Sequence, residues 1–318
     1  MHSIIIFLTN TNDMTNLQKN TIVQLIHTEK NRLGSYGQVA TKADVSTATI
    51  SHMHQGKWDL IKDELWIKVG KATGYDDSEW QIAETINYKS VTKICNDAKR
   101  YNLFMIISDK AGIGKSAPLK SYSQINGENG VFYIRCREWA KREFLTELCT
   151  TLGIDIGKSY LHIDKLGMKV VEFFNKRSSI KPQLIVDEAD KLKDSALRWF
   201  IHLFNECEDE MSLILAGTPH LEHRIKRGVK LKKLGFDELD SRFGRAFITL
   251  IGATLDCAKK ICIANGITDE KLIKSIFKDL KPTFKEIEIS KNEVTQVKVV
   301  DDLRRLKRVV IREKIKIS

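Results

Sequence analysis

The sequence predicts an α/β protein: a parallel sheet covered on both faces by helices, with a small all-α domain before it and a helical segment after it. Three observations carry this. From Asn102 onward, short apolar runs alternate with amphipathic helical stretches, the pattern of buried parallel strands joined by crossover helices. From Asn16 to about Tyr75 the chain lacks such runs and carries apolar residues at helical spacing. A length of 318 residues suggests two domains or three. Hydrophobic residues at 42% and charged residues at 29% exclude a disordered chain or a fibre. No apolar run reaches the ~18–20 residues of a membrane span, and Ser3–Leu8 lacks the basic lead and cleavage site of a signal peptide. A cytoplasmic protein with no membrane partner is therefore expected. The six cysteines lie apart without a CxxC, as reduced core thiols do. A net charge of +11 favours an anionic partner, nucleic acid first, but an ordinary basic surface explains the charge equally well, so function rests on motifs.

Residues 1–13 read as a detached, disordered leader, with Met14 a candidate start. Residues 14–77 form the helical domain, closed by a break at Gly74–Ser78. The stretch 78–253 then supplies the sheet. Its strand candidates are Leu103–Ile107, Val131–Ile134, Leu184–Val186, Leu213–Ala216 and Phe247–Leu250, with helices at Glu138–Leu152 and Leu192–Glu206. Residues 254–318 turn helical to about Leu280, alternate as a hairpin around Lys291-Asn292, and finish in a basic helix, Asp301–Lys314.

Directly after the first strand comes Ser108-Asp109-Lys110-Ala111-Gly112-Ile113-Gly114-Lys115-Ser116, close to the phosphate-loop pattern GxxxxGK[ST]. Gly112 and Gly114 let the backbone curl so that the N–H groups of Ala111 to Ser116 face phosphate oxygens, and the following helix presents an anion-binding N-terminus. Lys115 would reach the β- and γ-phosphates of ATP, and Ser116 would give Mg²⁺ a hard oxygen ligand. Asp109 replaces the pattern's first glycine. Asp can adopt a left-handed conformation, which would preserve the turn, provided its carboxylate points away from the phosphates. Further on, Gln183-Leu184-Ile185-Val186-Asp187-Glu188-Ala189-Asp190 is an apolar strand ending in acids, where open α/β sheets bind ligands. Asp187 is the second candidate for Mg²⁺, and Glu188 the group that polarises the attacking water. The next strand ends in Gly217-Thr218-Pro219, placing Thr218 beside the γ-phosphate. In Asp240-Ser241-Arg242-Phe243-Gly244-Arg245, either Arg242 or Arg245 could reach a neighbouring subunit's nucleotide.

SDKAGIGKS, QLIVDEAD, LILAGTP and DSRFGR, in that order and spacing, resemble an AAA+ ATPase. Within it, the run from Tyr133 to Phe243 is similar to the phage Mu B type of transposition helper. The resemblance covers roughly residues 85–318, and more weakly the N-terminal part. It implies an AAA+ P-loop NTPase core at 78–253 and a small lid at 254–318. Asp302-Leu303-Arg304-Arg305-Leu306 looks like the second-sensor motif of such lids, with Arg304 as the nucleotide contact and Asp301 where the family often has glycine.

The N-terminal stretch Gln38–Ser51 reads as helix-turn-helix. Ala40 and Ala43 permit close packing, Val45 and Ile50 fill the angle, Asp44 stands at the usual turn glycine, and Ser46 caps the second helix. It resembles the lambda-repressor-like group. Gln38, Ser46, Thr47, Ala48, Ser51 and His52 are then the candidate DNA contacts, with Lys57 on phosphate. Mu B-type proteins are similar in placing such a domain before the ATPase. The resemblance implies a homo-oligomer, a helical filament on double-stranded DNA, that presents target DNA to a transposase and lets go on ATP hydrolysis. A nucleotide-sensing transcriptional regulator and a helicase-loader type AAA+ protein are the alternatives.

Overall fold

A computed structural model describes residues 14, 16–33, 35–75, 80–157, 160–290 and 293–317. The expected leader at 1–13, most of the break at 74–78 and the hairpin turn at Lys291-Asn292 lie outside the described residues. The chain divides into two units, one ending at Ile82 and one beginning at Ala83.

Local signals set the helices of the first unit: α1 (Asn16–Leu33), α2 (Tyr36–Ala43), α3 (Thr47–His54) and α4 (Asp63–Thr73). The Ser35 hydroxyl accepts from Gln38 N at 3.2 Å and opens α2, and Ser46 accepts from Thr49 N at 3.1 Å and opens α3. Caps of this kind are worth ~1 kcal/mol each. Between them Asp44 turns left-handed at φ 49°, and its exposed carboxylate receives Lys68 Nζ at 2.6 Å. The apolar positions converge on one core: Ile22, Ile26, Val39, Ala40, Ala43, Ile50, Met53, Trp66 and Val69 are all buried. Val45 packs against its edge.

In the second unit, α5 (Ile86–Tyr101) leads into β1 (Phe104–Ser108), and α6 (Ser116–Ile125) carries the chain to β2 (Val131–Arg135). Next come α7 (Lys141–Thr151), α8 (Ile163–Asn175), which the sequence did not announce, and β3 (Gln183–Asp187). The expected helix 192–206 starts two residues late, since Leu192 and Lys193 are extended, and divides at Arg198 into α9 (Asp194–Leu197) and α10 (Trp199–Cys207). β4 (Ser212–Gly217), α11 (Pro219–Lys230), α12 (Phe236–Arg242) and β5 (Phe247–Ile248) complete the core. The five strands are parallel in the order β2-β3-β4-β1-β5. β3 and β4 are buried throughout, as parallel strands covered on both faces must be. Alternate residues serve opposite faces. Leu213 and Leu215 join the larger core with Phe144, Phe174 and Phe200, while Ile214 and Ala216 join Val91, Cys95 and Leu119 on the other side. All six cysteines are free and buried. The fold is an α/β core built on a parallel five-stranded sheet, the fold class expected from the sequence.

β5 is two residues where four were expected, and the reason is local. Leu250 N donates to the Asp109 carboxylate at 2.6 Å, and Ile251 N and Gly252 N both donate to Asn87 Oδ1 at 3.2 Å. Side chains thus replace the ladder. Beyond them lie α13 (Leu255–Ala264), α14 (Glu270–Asp279), the antiparallel pair β6 (Thr283–Ser290) and β7 (Glu293–Val299), and α15 (Leu303–Ile317). Ala253 and Val300 bond reciprocally, at 2.9 and 2.8 Å, so the excursion between them starts and ends at one point. Among the described residues, no helix is long and apolar enough to cross a membrane.

Candidate nucleotide-binding site

The site begins where β1 ends. Gly112 and Gly114 take φ of 87° and 101°, a region open mainly to glycine. α6 follows with no side-chain cap at its N-terminus, leaving its first N–H groups available to an anion. Pro118 sits in the first turn, where it costs no bond. Lys115 is buried, and its ammonium folds back onto the carbonyls of Asp109 and of Lys110, the latter at 2.8 Å. Burial lowers its pKa; Asp109, Asp187 and Asp190 oppose this and Arg304 adds to it. The three carboxylates and Arg304 therefore lie within electrostatic reach of one lysine.

Asp109 departs from the conformation its sequence position suggested. Its backbone is not left-handed. The side chain does the work instead: it is buried, Oδ1 accepts from Lys110 N at 2.6 Å and Oδ2 from Leu250 N at 2.6 Å. The carboxylate is thus spent on backbone donors rather than aimed at the loop's anion-facing side. Asn87 mirrors it, with Nδ2 donating to Ile113 O at 2.8 Å while Oδ1 holds Ile251 and Gly252. The phosphate loop and the segment that follows β5 are pinned to each other by these two side chains.

At the end of β3, Asp187 is buried and receives Tyr133 O–H at 2.8 Å on Oδ2 and Glu188 N at 2.9 Å on Oδ1. Glu188 is held left-handed at φ 56°. Its carboxylate pairs with Arg135 at 2.5 Å and with Lys191. Burial pushes its pKa up, but the bonds from Arg135 and Lys191 more than offset this and hold it below the usual carboxylate range. Asp190 grips the end of β4: Oδ1 accepts from Thr218 N at 3.1 Å and Oδ2 from the Thr218 hydroxyl at 2.9 Å. Arg224 of α11 closes the arrangement by donating to Asp190 O at 3.0 Å and Leu192 O at 2.5 Å.

The start of α15 lies on the phosphate loop. Leu303 N donates to Gly112 O at 2.9 Å, and Lys110 Nζ meets Asp301 at 2.6 Å. A Cβ on Gly112 would stand 2.7 Å from Asp302 Oδ1, and one on Gly114 would stand 2.6 Å from Leu303 Cδ1. Both glycines are therefore required twice, by their backbone angles and by this close approach. Arg304 follows immediately and is exposed.

The structure thus gathers Lys115, Asp187, Thr218 and Arg304, with Glu188 beside Asp187. Ser116 opens α6 next to Lys115, and its hydroxyl and the Asp187 carboxylate are hard oxygen donors of the kind Mg²⁺ takes. Arg242 and Arg245 stand apart from this cluster. Arg242 lies over the Phe204 ring with Glu238 at 3.4 Å. Arg245, itself left-handed, pairs with Asp237 at 3.0 Å. Sequence reasoning missed Asn87, Tyr133, Arg135 and Arg224. None sits in a recognisable motif, and each acts on a group distant in sequence. In the first unit, Gln38, Ser46, Thr47, Ala48 and Lys57 are exposed, and Ser51 and His52 half-buried.

Residues 98–225 match the family described as AAA domain. A potential ATP-binding protein of Staphylococcus aureus is 23% identical over 177 residues, covering 48% of this chain and 65% of the relative. Among solved structures, Cdc6p from Pyrobaculum aerophilum superposes with a TM-score of 0.48 at 16% identity, over 64% of this chain and 57% of that one. RuvB of Thermotoga maritima, a Holliday junction branch migration motor, gives a TM-score of 0.34 at 12% identity over 59% and 53%. The chain thus spans under two thirds of each of these proteins. The match to the AAA domain falls within the second unit.

Proposed function

We propose that this protein is an ATPase that binds duplex DNA when loaded with ATP, oligomerises along it, and presents that DNA to a partner transposase, as helpers of the phage Mu B type do. One observation carries the reading: Lys115, Asp187, Glu188 and Thr218 all stand at or just past the carboxyl ends of β1, β3 and β4, which are neighbours in one parallel sheet. Lys115 leaves the loop carbonyls for the β- and γ-phosphates, and the N–H groups of Ala111 to Ser116 bind the same oxygens, with Ile113 held from behind by Asn87. Ser116 and Asp187 hold Mg²⁺, which neutralises phosphate charge. Glu188 orients a water towards the γ-phosphorus and takes up its proton as the bond to the β-phosphate oxygen breaks. Thr218 and Arg304 contact the γ-phosphate, and Arg242 or Arg245 completes a neighbour's site.

In the first unit, α2 and α3 act as helix-turn-helix. Thr47, Ala48, Ser51 and His52 face the major groove, Gln38 and Ser46 lie at its edge, and Lys57 contacts phosphate. Hydrolysis is the switch that releases DNA, rather than the product-forming purpose of the protein.

The test is binding to random-sequence duplex DNA with ATP and Mg²⁺, with ADP, and with no nucleotide, with assembly size read in the same samples. Length-dependent binding with ATP only, lost in Lys115→Ala, is expected. Nucleotide-indifferent binding by a small oligomer would replace this reading with that of a transcriptional regulator.

A further inference from the structure

We propose that the outer edge of α11 and the turn after it form a DNA-phosphate-binding surface of the ATPase unit, carried by Arg227, Lys230 and Lys232. The inference rests on the DNA-binding reading above and goes beyond it, placing phosphate contacts outside the helix-turn-helix.

From His223 to Phe236 the chain carries Arg224, Lys226, Arg227, Lys230, Lys232 and Lys233 and no acid. The six do different things. Arg224 turns inward onto the carbonyls of Asp190 and Leu192. Lys226 is paired with Glu222, and Lys233 lies 3.6 Å from Asp194. Arg227, Lys230 and Lys232 are exposed, and no ion pair holds any of them among the described residues. A helix C-terminus favours cations through its dipole. That accounts for Arg227 and Lys230 but not for Lys232 beyond the helix, nor for the absence of any acid.

The surface is rigid. The inner face of α11, with Leu221, Ile225 and Gly228, is buried, and Gly228 lies so close to Phe236 that a Cβ there would overlap the ring. Arg227 and Lys230 are three residues apart and so lie on one side of α11. The same helix begins at Thr218–Pro219 and is tied to the loop after β3 by Arg224. The cations therefore stand on the element that carries Thr218. Leu231 and Leu234 are 55% and 82% exposed at the tip. Two leucines among these cations give little area for a lipid surface, whereas exposed cations with no ion pair among the described residues match a polyanion.

The full chain with Arg227→Gln, Lys230→Gln and Lys232→Gln combined is compared with wild type and with a control of equal charge loss, Lys120→Gln, Lys165→Gln and Lys278→Gln. Binding to random-sequence duplex DNA with ATP and Mg²⁺ is followed across a salt series. The first variant should lose about 2.7 from the slope of log K against log salt, at ~0.9 per phosphate contact. The control should keep the wild-type slope, and ATP turnover without DNA should match wild type in both. Lys230→Arg with Lys232→Arg should retain the slope, which separates lost charge from lost folding. Equal slopes in the two triple variants would overturn the inference while leaving the DNA-binding reading intact. Absence of DNA binding by the wild type would remove both. Loss of binding to phosphatidylserine vesicles with DNA binding unchanged would reassign the surface to membranes and overturn it as well.

Discussion

Two turns in this molecule carry aspartate where their sequence patterns favour glycine, and they solve the problem in opposite ways. In the turn between α2 and α3, Asp44 adopts the left-handed backbone a glycine would have, at φ 49°, and its side chain is exposed and meets Lys68. In the phosphate loop, Asp109 keeps an ordinary backbone, is buried, and spends both carboxylate oxygens on the N–H groups of Lys110 and Leu250. The first substitution imitates glycine's conformation. The second discards it and adds a side-chain bridge that glycine cannot make. The left-handed angles of the phosphate loop fall only on Gly112 and Gly114, so the burden of curling it never rested on position 109.

That contrast orders the expected mutational effects. Gly114→Ala should be the most damaging, because φ of 101° is combined with the approach of Leu303. Backbone strain of ~1–3 kcal/mol comes with displacement of α15, and ATP binding, followed by titration calorimetry, should be lost. Asp109→Gly comes next. Although it restores the expected pattern, it strands the buried Leu250 N–H, worth ~1–3 kcal/mol, and removes the partner of the half-buried Lys110 N–H. Its thermal midpoint should fall, with Asp109→Ala close beside it. A midpoint equal to wild type in Asp109→Gly would mean that the carboxylate bridge holds nothing together. The smallest effects belong to the other turn. Asp44→Gly should leave the melting of the first unit where it is, and Asp44→Ala should lower it slightly, since alanine strains at φ 49°. If Asp44→Ala proved harmless, the two aspartates would not differ as described.

The strands of the core were legible because buried parallel strands are continuous apolar runs, and β1 to β4 fall within a residue of Leu103–Ile107, Val131–Ile134, Leu184–Val186 and Leu213–Ala216. Phe247–Leu250 overran because its last N–H is claimed by a carboxylate 141 residues earlier, which no local pattern records. The same division runs through the site. Asp187 and Thr218 sit at the ends of recognisable strands, and Lys115 in a recognisable loop that follows one. Asn87 and Tyr133 do not: they read as ordinary members of a helix and a strand until folding sets them against Ile113, Gly252 and Asp187. Asp190 was visible within its acidic run, but its grip on Thr218 is a contact across 28 positions.

The reciprocal bonds between Ala253 and Val300 make the intervening chain a detour with a common entrance and exit. Within it α14 stays tied to α15, through Arg305 donating to Asp279 O at 3.2 Å, but the outer reach of the hairpin is uncoupled from the position at which Arg304 emerges. The hairpin of β6 and β7 within it is free to be lengthened, trimmed or exchanged over evolutionary time without re-aiming that arginine. Novelty in partner recognition can then accumulate in one segment while the nucleotide chemistry next to it stays in register.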